Sequence, residues 1–389
     1  MDAMLPSRIG KLRIVCSLPL FSDAICIKSQ SAAEHGFTQV SIAIALAQAL
    51  NLSPEDECEF LELVLFAEMP KCLLGDPSHY LRQRHPEAKA MYEDVRGRLW
   101  SETEESLKFK TTRNPGLVGL HHVVDSFAAM LFIEKECLLG NQYFASERYK
   151  TKYHKYRNQV LKGVGLAEKH PAQGKGAEAK NTEIDWKKAI SFLDNLYDDC
   201  TRSRLEGGVA EYSATFLGMI EKLKEHYRYK GWSYHYAESV AEHTFQVIFL
   251  AHTVASALSL PNTQRIELYR LAALHDLAEA YASDVIYPVK VREKDLGKMH
   301  AKLEEEVIKD LCKTFGVSLP NNKLLDAIVD ICDRFSAQIY FDRERRSGNS
   351  HFNVKNVSMD HVKAKYGKEY PEIFLVLEEL WEEYLACFK

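Results

Sequence analysis

The chain has 389 residues, of which 46% are hydrophobic and 27% are charged. This length can hold two domains of ordinary size, each with its own core, and the composition is typical of a soluble globular protein. The formal net charge of −5 argues against a mainly electrostatic role on nucleic acid or on an anionic membrane, so no obvious nucleic-acid surface is expected.

In chain order, we predict a first domain at residues 1–162, a linker at 163–183 and a second domain at 184–389. The linker is rich in Gly, Ala and Lys and has no apolar period. Apolar residues elsewhere recur at helical spacing, as at Val240, Val247 and Ala251, and no alternating strand pattern stands out. We therefore expect an all-α fold made of two helical bundles in tandem.

Nine cysteines are scattered along the chain, and none forms a CxxC pair. An odd, scattered set fits reduced thiols in a cytosolic protein better than a disulfide framework or a zinc knuckle. The N-terminus lacks a convincing secretory signal, and no stretch approaches the ~20 apolar residues that span a bilayer. These features predict a cytoplasmic protein without membrane contact.

Two sets of ligand-type residues repeat at a constant offset of 208 positions, as from His35 to His243. The set in the second half comprises His243, His275, Asp276 and Asp333. Its counterparts in the first half are His35, Ala67, Glu68 and Asp125. One duplicated module accounts for both sets, and only the second copy keeps a full set of metal-binding side chains.

The second set has the composition of a metal centre. Taken alone, each of its residues is more readily explained as a packed histidine or a surface acid. Imidazoles and carboxylates that project inward from several helices are, however, how helical bundles hold first-row divalent ions. Two His and two Asp leave coordination positions open for water and a phosphate oxygen, which favours hydrolysis over a closed structural site.

Two further acids follow the His-Asp pair. Glu279 lies four residues after His275 and three after Asp276 and is expected to share their helical face, while Asp284 falls in the following turn. We predict both as catalytic acids that position or deprotonate the attacking water or handle the leaving-group proton. The alternatives are a solvated helix residue for Glu279 and a turn or capping residue for Asp284.

These residues resemble the H…HD…D signature of the HD-domain phosphohydrolase superfamily, and more narrowly they are similar to bacterial 5′-deoxynucleotidases. The motifs are ESVAEH at 238–243, HDLAE at 275–279, Asp284 with PVK at 288–290, and DRFSA at 333–337. The resemblance covers about residues 217–342. It implies two HD-domain bundles and one divalent ion, with manganese or cobalt favoured and magnesium, zinc or iron as alternatives.

The resemblance also implies a substrate, a deoxyribonucleoside 5′-monophosphate, and residues that bind it. The family has an Arg-Trp pair fifteen residues before its first histidine, where this chain has Arg228 and Tyr229. Arg228 is suited to clamp phosphate. Tyr229 departs from the tryptophan, and Trp232 either replaces it in selecting the sugar or belongs to the core. Lys290 is either a second positive contact or a solvated loop lysine.

The first copy lacks this chemistry. Ala67 and Glu68 replace the His-Asp pair, and Lys71 replaces the catalytic glutamate, which weakens metal affinity and removes the general base. Packing or surface roles are favoured for His121 and His122 over a rebuilt site. We expect this copy to pair with the second as a built-in partner, imitating the dimer contact of single-copy relatives; a homo-oligomer is also compatible with the sequence.

Other functions stay open. A nucleoside triphosphate or a cyclic or modified nucleotide is an alternative substrate, because the ligand set does not encode the leaving group. Only His300 lies between Asp276 and Asp333, which argues against a two-metal centre. An alternative of another class is a non-catalytic nucleotide-binding regulator that uses the first copy as its sensing surface.

Overall fold

The regular elements of the described chain are all helical, as the apolar spacing predicts. The computed structural model describes residues 7–21, 25–75, 86–107, 109, 114–144, 147–162, 182–203, 215–229, 232–282, 294–315, 319, 321–352 and 359–388. These residues contain helices and two isolated antiparallel bridges but no β-strand. The all-α prediction is therefore confirmed.

The chain divides into two compact units, Met1–Asp194 and Asn195–Lys389. The first contains α1 (Arg8–Ser17), α2 (Ala32–Leu50), α3 (Pro54–Phe66), α4 (Lys71–Leu74), α5 (Pro86–Leu107), α6 (Pro115–Leu138) and α7 (Glu147–Leu161). The second contains α9 (Phe216–Glu225), α10 (Val240–Ala257), α11 (Asn262–Leu274), α12 (Glu279–Ala282), α13 (Lys294–Phe315), α14 (Lys323–Arg346), a 3₁₀ turn (Ser350–Phe352), α15 (Met359–Tyr366) and α16 (Pro371–Ala386).

The division between the units falls inside a helix, α8 (Trp186–Arg202). The first half of α8 is bonded to α7, because Asp194 accepts hydrogen bonds from the Tyr153 hydroxyl and from Arg157 Nε, the latter at 2.6 Å. Of the predicted linker, only residues 182–183 lie within the described chain. The boundaries drawn from the sequence stay a prediction.

Each unit is built around one long buried helix with the same start. In α2, the Ser31 hydroxyl accepts from the Glu34 N–H, and the Glu34 carboxylate accepts from the Ser31 N–H. Ser239 and Glu242 form the same reciprocal pair at the start of α10. Such a capping box satisfies two amides that the helix leaves unpaired, so sequence fixes where each helix begins. Helix α2 then packs against α3 and α6, and α10 against α11 and α14.

Backbone contacts also recur at the offset of 208. The Leu20 N–H donates to the Gln30 carbonyl at 2.8 Å, and the Arg228 N–H donates to the Glu238 carbonyl at 2.9 Å. A fully buried glutamate near the end of α6 and of α14 repeats as well. Glu136 accepts hydrogen bonds from the backbone amides of residues 27 and 28, and Glu344 from those of residues 235 and 236. The two units thus share local geometry well beyond the ligand positions.

One helix, α6, is long and apolar enough to cross a membrane by length and composition alone. Its apolar window is 78% buried inside the first unit, as in the core helix of many globular proteins. We expected no apolar stretch long enough to span a bilayer, and α6 is an exception to that expectation. The nine cysteines lie within the described residues, and none of them is joined in a disulfide.

Candidate metal centre

Three elements of the second unit bring the four predicted ligands together. His243 lies in the first turns of α10 and is fully buried, and Asp333 lies in the middle of α14. His243 Nε2 is 2.9 Å from Asp333 Oδ1 and 3.6 Å from Asp276 Oδ2. Ligand atoms of His243, His275 and Asp276 all lie within 4.8 Å of one another. The side chains of the two aspartates are 20 to 25% exposed, so the centre is open on one side.

The local structure of the His-Asp pair differs from the regular helix expected from the sequence. Helix α11 ends at Leu274, and residues 275–278 form a turn before α12 begins at Glu279. Bonds of the i to i+3 type close this turn, including Glu279 N–H to the Asp276 carbonyl at 3.0 Å. Tighter winding puts residues three apart on one face, which favours alignment of Glu279 with Asp276, one of the two residues whose face it was expected to share.

His275 is held in the orientation that a metal ligand requires. Its Nδ1 lies 2.7 Å from the Ala272 carbonyl oxygen, to which it donates as an N–H. Its Nε2 is buried and makes no hydrogen bond, and the nearest carboxylate oxygen, Asp276 Oδ2, is 3.1 Å away. Histidines that bind metals commonly donate their second N–H to a carbonyl. The residues present therefore fit a divalent ion.

The histidines and aspartates of the centre shift one another's pKa values. Burial disfavours a charged His275, but the Asp276 carboxylate outweighs burial and raises the pKa of His275 to about 9. Burial acts against ionisation of Asp276 and Asp333 too, yet the neighbouring histidines outweigh it and lower the pKa of both carboxyls. Burial and Arg228 lower the pKa of His243. The centre thus favours two carboxylates, which need a cation or a proton nearby.

Arg228 joins this centre through a ring of polar side chains that the sequence did not reveal. Its Nη1 is 2.5 Å from His243 Nδ1 and 3.3 Å from Glu238, and its Nη2 is 3.9 Å from Asp333. Burial disfavours the guanidinium charge, but Tyr229, Glu238 and Asp333 outweigh it and raise the Arg228 pKa. Arg228 is therefore a fixed positive charge at the edge of the ligands.

Two more buried side chains close the ring from Glu238 back to His243. Gln246 Nε2 donates to Glu238 at 2.7 Å, and the Ser336 hydroxyl donates to Gln246 Oε1 at 3.3 Å and lies 3.1 Å from His243 Nδ1. Helical spacing was the available signal, because Gln246 follows His243 by three residues and Ser336 follows Asp333 by three. Neither residue was singled out from the sequence.

The two aromatic residues proposed to select the sugar lie in an aromatic cluster. Tyr229 stacks on Tyr340 with ring centroids 5.0 Å apart, and Trp232 contacts Phe352 at 5.1 Å. In the first unit, where the metal ligands are incomplete, Phe21 stacks on a phenylalanine in the same way at 4.8 Å. An aromatic side chain at this position therefore packs in both units, which favours a core role for Tyr229.

Two of the remaining predicted residues, Asp284 and Lys290, lie outside the described part of the chain. Glu279 is partly buried at the first position of α12, three residues after Asp276. Its backbone N–H donates to the Asp276 carbonyl at 3.0 Å. The catalytic roles assigned to these acids stay predictions.

The first unit has a smaller centre at the equivalent positions. His35 Nε2 is 3.1 Å from Asp125 Oδ1, and ligand atoms of His35, Glu68 and Asp125 lie within 4.8 Å of one another. Lys71 pairs with Glu68 at 2.6 Å. His121 is buried on the same helix as Asp125, and burial, which outweighs the pull of that carboxylate, lowers the pKa of His121 to about 4. This imidazole is neutral at pH 7.

Comparison with known proteins places the matched region in the second unit. Residues 215–384 match the model of the YfbR-like 5′-deoxynucleotidase family. A 5′-deoxynucleotidase of Photorhabdus temperata is 26% identical over 156 residues, which span 36% of this chain and 78% of that protein. A second, from Photorhabdus laumondii, is 26% identical over 154 residues, with 36% and 77% covered.

A third relative, a 5′-deoxynucleotidase of Pectobacterium atrosepticum, is 28% identical over 139 residues, covering 32% of this chain and 69% of that protein. No solved structure matches the chain. The matched region contains Arg228 and all four predicted ligands. The C-terminal part of the chain is therefore similar to YfbR-like 5′-deoxynucleotidases, which supports a nucleotide phosphohydrolase of this kind.

Proposed function

We propose that the second unit is a metal-dependent phosphohydrolase that acts on nucleotides, with His243, His275, Asp276 and Asp333 as ligands of one divalent ion. The observation that carries the proposal is the orientation of His275. A backbone carbonyl fixes its Nδ1–H, and its Nε2 is left buried without a hydrogen bond beside Asp276. Two imidazoles with two carboxylates suit manganese, cobalt, zinc or iron, and magnesium less well.

A divalent ion bound there would supply Lewis acidity and a lower pKa for water. The remaining work belongs to side chains of the chain itself. Arg228, held by Glu238 at 3.3 Å and 3.9 Å from Asp333, is placed to bind phosphate oxygens with its guanidinium. Glu279 and Asp284 are proposed to orient the attacking water and to move the proton to the leaving group.

We infer that the substrate is a deoxyribonucleoside 5′-monophosphate. Support comes from the family match and from relatives named 5′-deoxynucleotidases. The matched regions cover 69 to 78% of the length of those relatives. A single buried arginine suits one terminal phosphate better than a triphosphate chain, which carries more negative charge. Trp232 and Lys290 are proposed as further substrate contacts, and Tyr229 as a packing residue beside Arg228.

We also propose that the chain is a tandem of two HD-type modules, with the first domain ending near residue 162 and the second beginning near 184. Capping boxes, buried glutamates and aromatic stacking that recur at an offset of 208 support it. Nine cysteines without a disulfide in the described residues support a cytoplasmic location. Pairing of the two modules within one chain, or of two chains, stays a prediction.

The decisive experiment is a matrix of metals against substrates. The purified chain, stripped of metal, is assayed for phosphate release from deoxy and ribo monophosphates, triphosphates and cyclic nucleotides with Mn²⁺, Co²⁺, Zn²⁺, Fe²⁺ or Mg²⁺. We expect release from deoxyribonucleoside monophosphates, and none from His275→Ala. Release from triphosphates alone would point to the alternative substrate, and binding without turnover in every metal would favour a regulator and contradict the proposal.

A further inference from the structure

The centre of the first unit has lost one imidazole of the ligand set, and a different imidazole lies one helical turn from Asp125. Ala67 stands where the second unit has His275. His121, four residues before Asp125 on α6, stands where the second unit has Val329, a buried apolar residue. The first unit therefore keeps two imidazoles and two carboxylates, although one imidazole comes from a different helix.

We propose that His35, Glu68, Asp125 and His121 hold a divalent transition-metal ion in the first unit, as a site that binds metal without hydrolysing substrate. Three of these residues already present ligand atoms within 4.8 Å of one another. Carboxylate and imidazole together suit first-row ions such as Zn²⁺, Co²⁺ or Mn²⁺.

His121 is an independent observation in favour of a ligand. Its side chain is about 93% buried, because only 7% of the residue is exposed, and its Nε2 has no hydrogen-bond partner. An unpaired buried polar atom is costly unless something binds it. Residues four apart share one helix face, so His121 and Asp125 face the same side of α6, and Asp125 and His35 lie within electrostatic reach of His121.

Asp125 has one polar contact whose equivalent is missing from the second unit. Gln39 Nε2 donates to Asp125 Oδ1 at 2.9 Å, and the equivalent position of the second unit is the apolar Val247. Hydrogen bonds to a ligating carboxylate fix its orientation and tune metal affinity. The first unit thus has its own outer contact to one ligand, not a decayed copy of the contact in the second.

Lys71 is the competitor that an ion must displace. Its ammonium lies 2.6 Å from Glu68, and the Glu68 side chain is only 3% exposed, whereas that of Lys71 is 24% exposed. A buried carboxylate requires a positive partner, and a flexible, partly exposed lysine can withdraw from it. We therefore expect the ion to bind more weakly here than in the second unit.

The same residues explain why this site does not hydrolyse. Lys71 stands where the second unit has Glu279, and Leu20 stands where it has Arg228. The carboxylate proposed to handle protons and the guanidinium proposed to bind phosphate are both missing. A metal site that lacks both groups is suited to stabilise structure and not to hydrolyse a phosphate ester.

The test uses full-length protein in which the second centre has been emptied by His275→Ala and Asp276→Ala. After metal stripping and reloading with Co²⁺, metal content and the visible absorption of the cobalt ion are measured. We expect about one ion per chain with the intensity of a four-ligand site. Adding Glu68→Gln or His121→Gln should remove most of that ion and its absorption.

The matched control is His122→Gln, which changes the adjacent imidazole and should keep the ion. Lys71→Met should tighten binding, because it removes the competing ammonium. Circular dichroism of each variant separates a lost ligand from a lost fold. An emptied background that holds no cobalt would overturn the proposal, as would full cobalt content in a folded His121→Gln protein. The outcome is independent of activity and so of the proposed function.

Discussion

The two units share a frame of buried helices and differ in the polar side chains at the centre of that frame. Helix starts, buried glutamates and the backbone bond that precedes the long helix recur at one offset. The polar ring does not: the counterparts of Arg228, Glu238, Gln246 and Ser336 are Leu20, Gln30, Thr38 and Ala128. Contacts that position helices persist in both units, whereas the polar ring around Arg228 occurs in the second unit alone.

This difference distinguishes residues that only pack from residues that serve the site. A residue whose contact recurs in both units, such as the aromatic at Phe21 and Tyr229, is explained by the frame. A residue whose contact occurs in the second unit alone, such as Glu238, requires an explanation from the site. A buried network of charges is costly unless every member is satisfied, so its presence in only one unit points to a role there.

The largest expected effect follows from removing a ligand. Asp276→Ala should lower phosphate release by about a thousandfold or more, because the second unit would lose a carboxylate that holds the metal. Glu68→Ala, the equivalent change in the first unit, should leave turnover within about twofold, since no phosphate clamp is present there. Steady-state assays of both purified variants check the contrast, and equal losses would contradict the division of roles.

A smaller effect is expected from the polar ring. Glu238→Gln keeps size and removes the charge that holds Arg228, so kcat/KM should fall by about 10- to 100-fold with little change in fold. Gln30→Ala is the matched change in the first unit and should be silent in the same assay. Unchanged kcat/KM in Glu238→Gln would mean that Arg228 does not depend on this partner.

The raised pKa of His275, about 9, predicts a pH dependence. In metal-stripped protein, protonated His275 stabilises the fold fully below its unfolded pKa of about 6.5. That stability is lost as pH rises through 9. A metal must displace this proton, so affinity should rise about tenfold per pH unit between those values. Calorimetry in buffers of different ionisation enthalpy counts the released proton; no release would show that His275 is already neutral in the metal-free protein, contrary to the raised pKa.

The smallest effect concerns the aromatic cluster. Tyr229→Phe should leave the ratio of deoxy to ribo turnover within about twofold, because a phenylalanine fills the same position in the first unit and ring stacking is retained. Trp232→Leu tests the second aromatic and should shift that ratio if Trp232 selects the sugar. Competition assays with paired nucleotides measure both, and a large change in Tyr229→Phe would return sugar selection to this residue.

Much of the site was accessible from sequence because ligand chemistry restricts residue type and spacing. The pattern selects His243, His275, Asp276 and Asp333. The fold brings ligand atoms of the first three within 4.8 Å of one another and places Asp333 2.9 Å from His243. The sequence predicts a helix at 275–278, where the structure has a turn, because an i to i+3 turn and an α-helix have similar local sequences. The sequence also could not predict how buried Tyr229 and Trp232 are, because their packing partners, Tyr340 and Phe352, lie more than a hundred residues away.

The sequence by itself determined the all-α class, the repeat at an offset of 208 and the ligand types, because periodicity and residue chemistry are local properties. Only the tertiary structure decided that Arg228 contacts His243, that Glu238, Gln246 and Ser336 close a ring around them, and that His121 is buried with an unpaired Nε2. Such contacts join residues up to about a hundred positions apart, and their geometry depends on how helices pack.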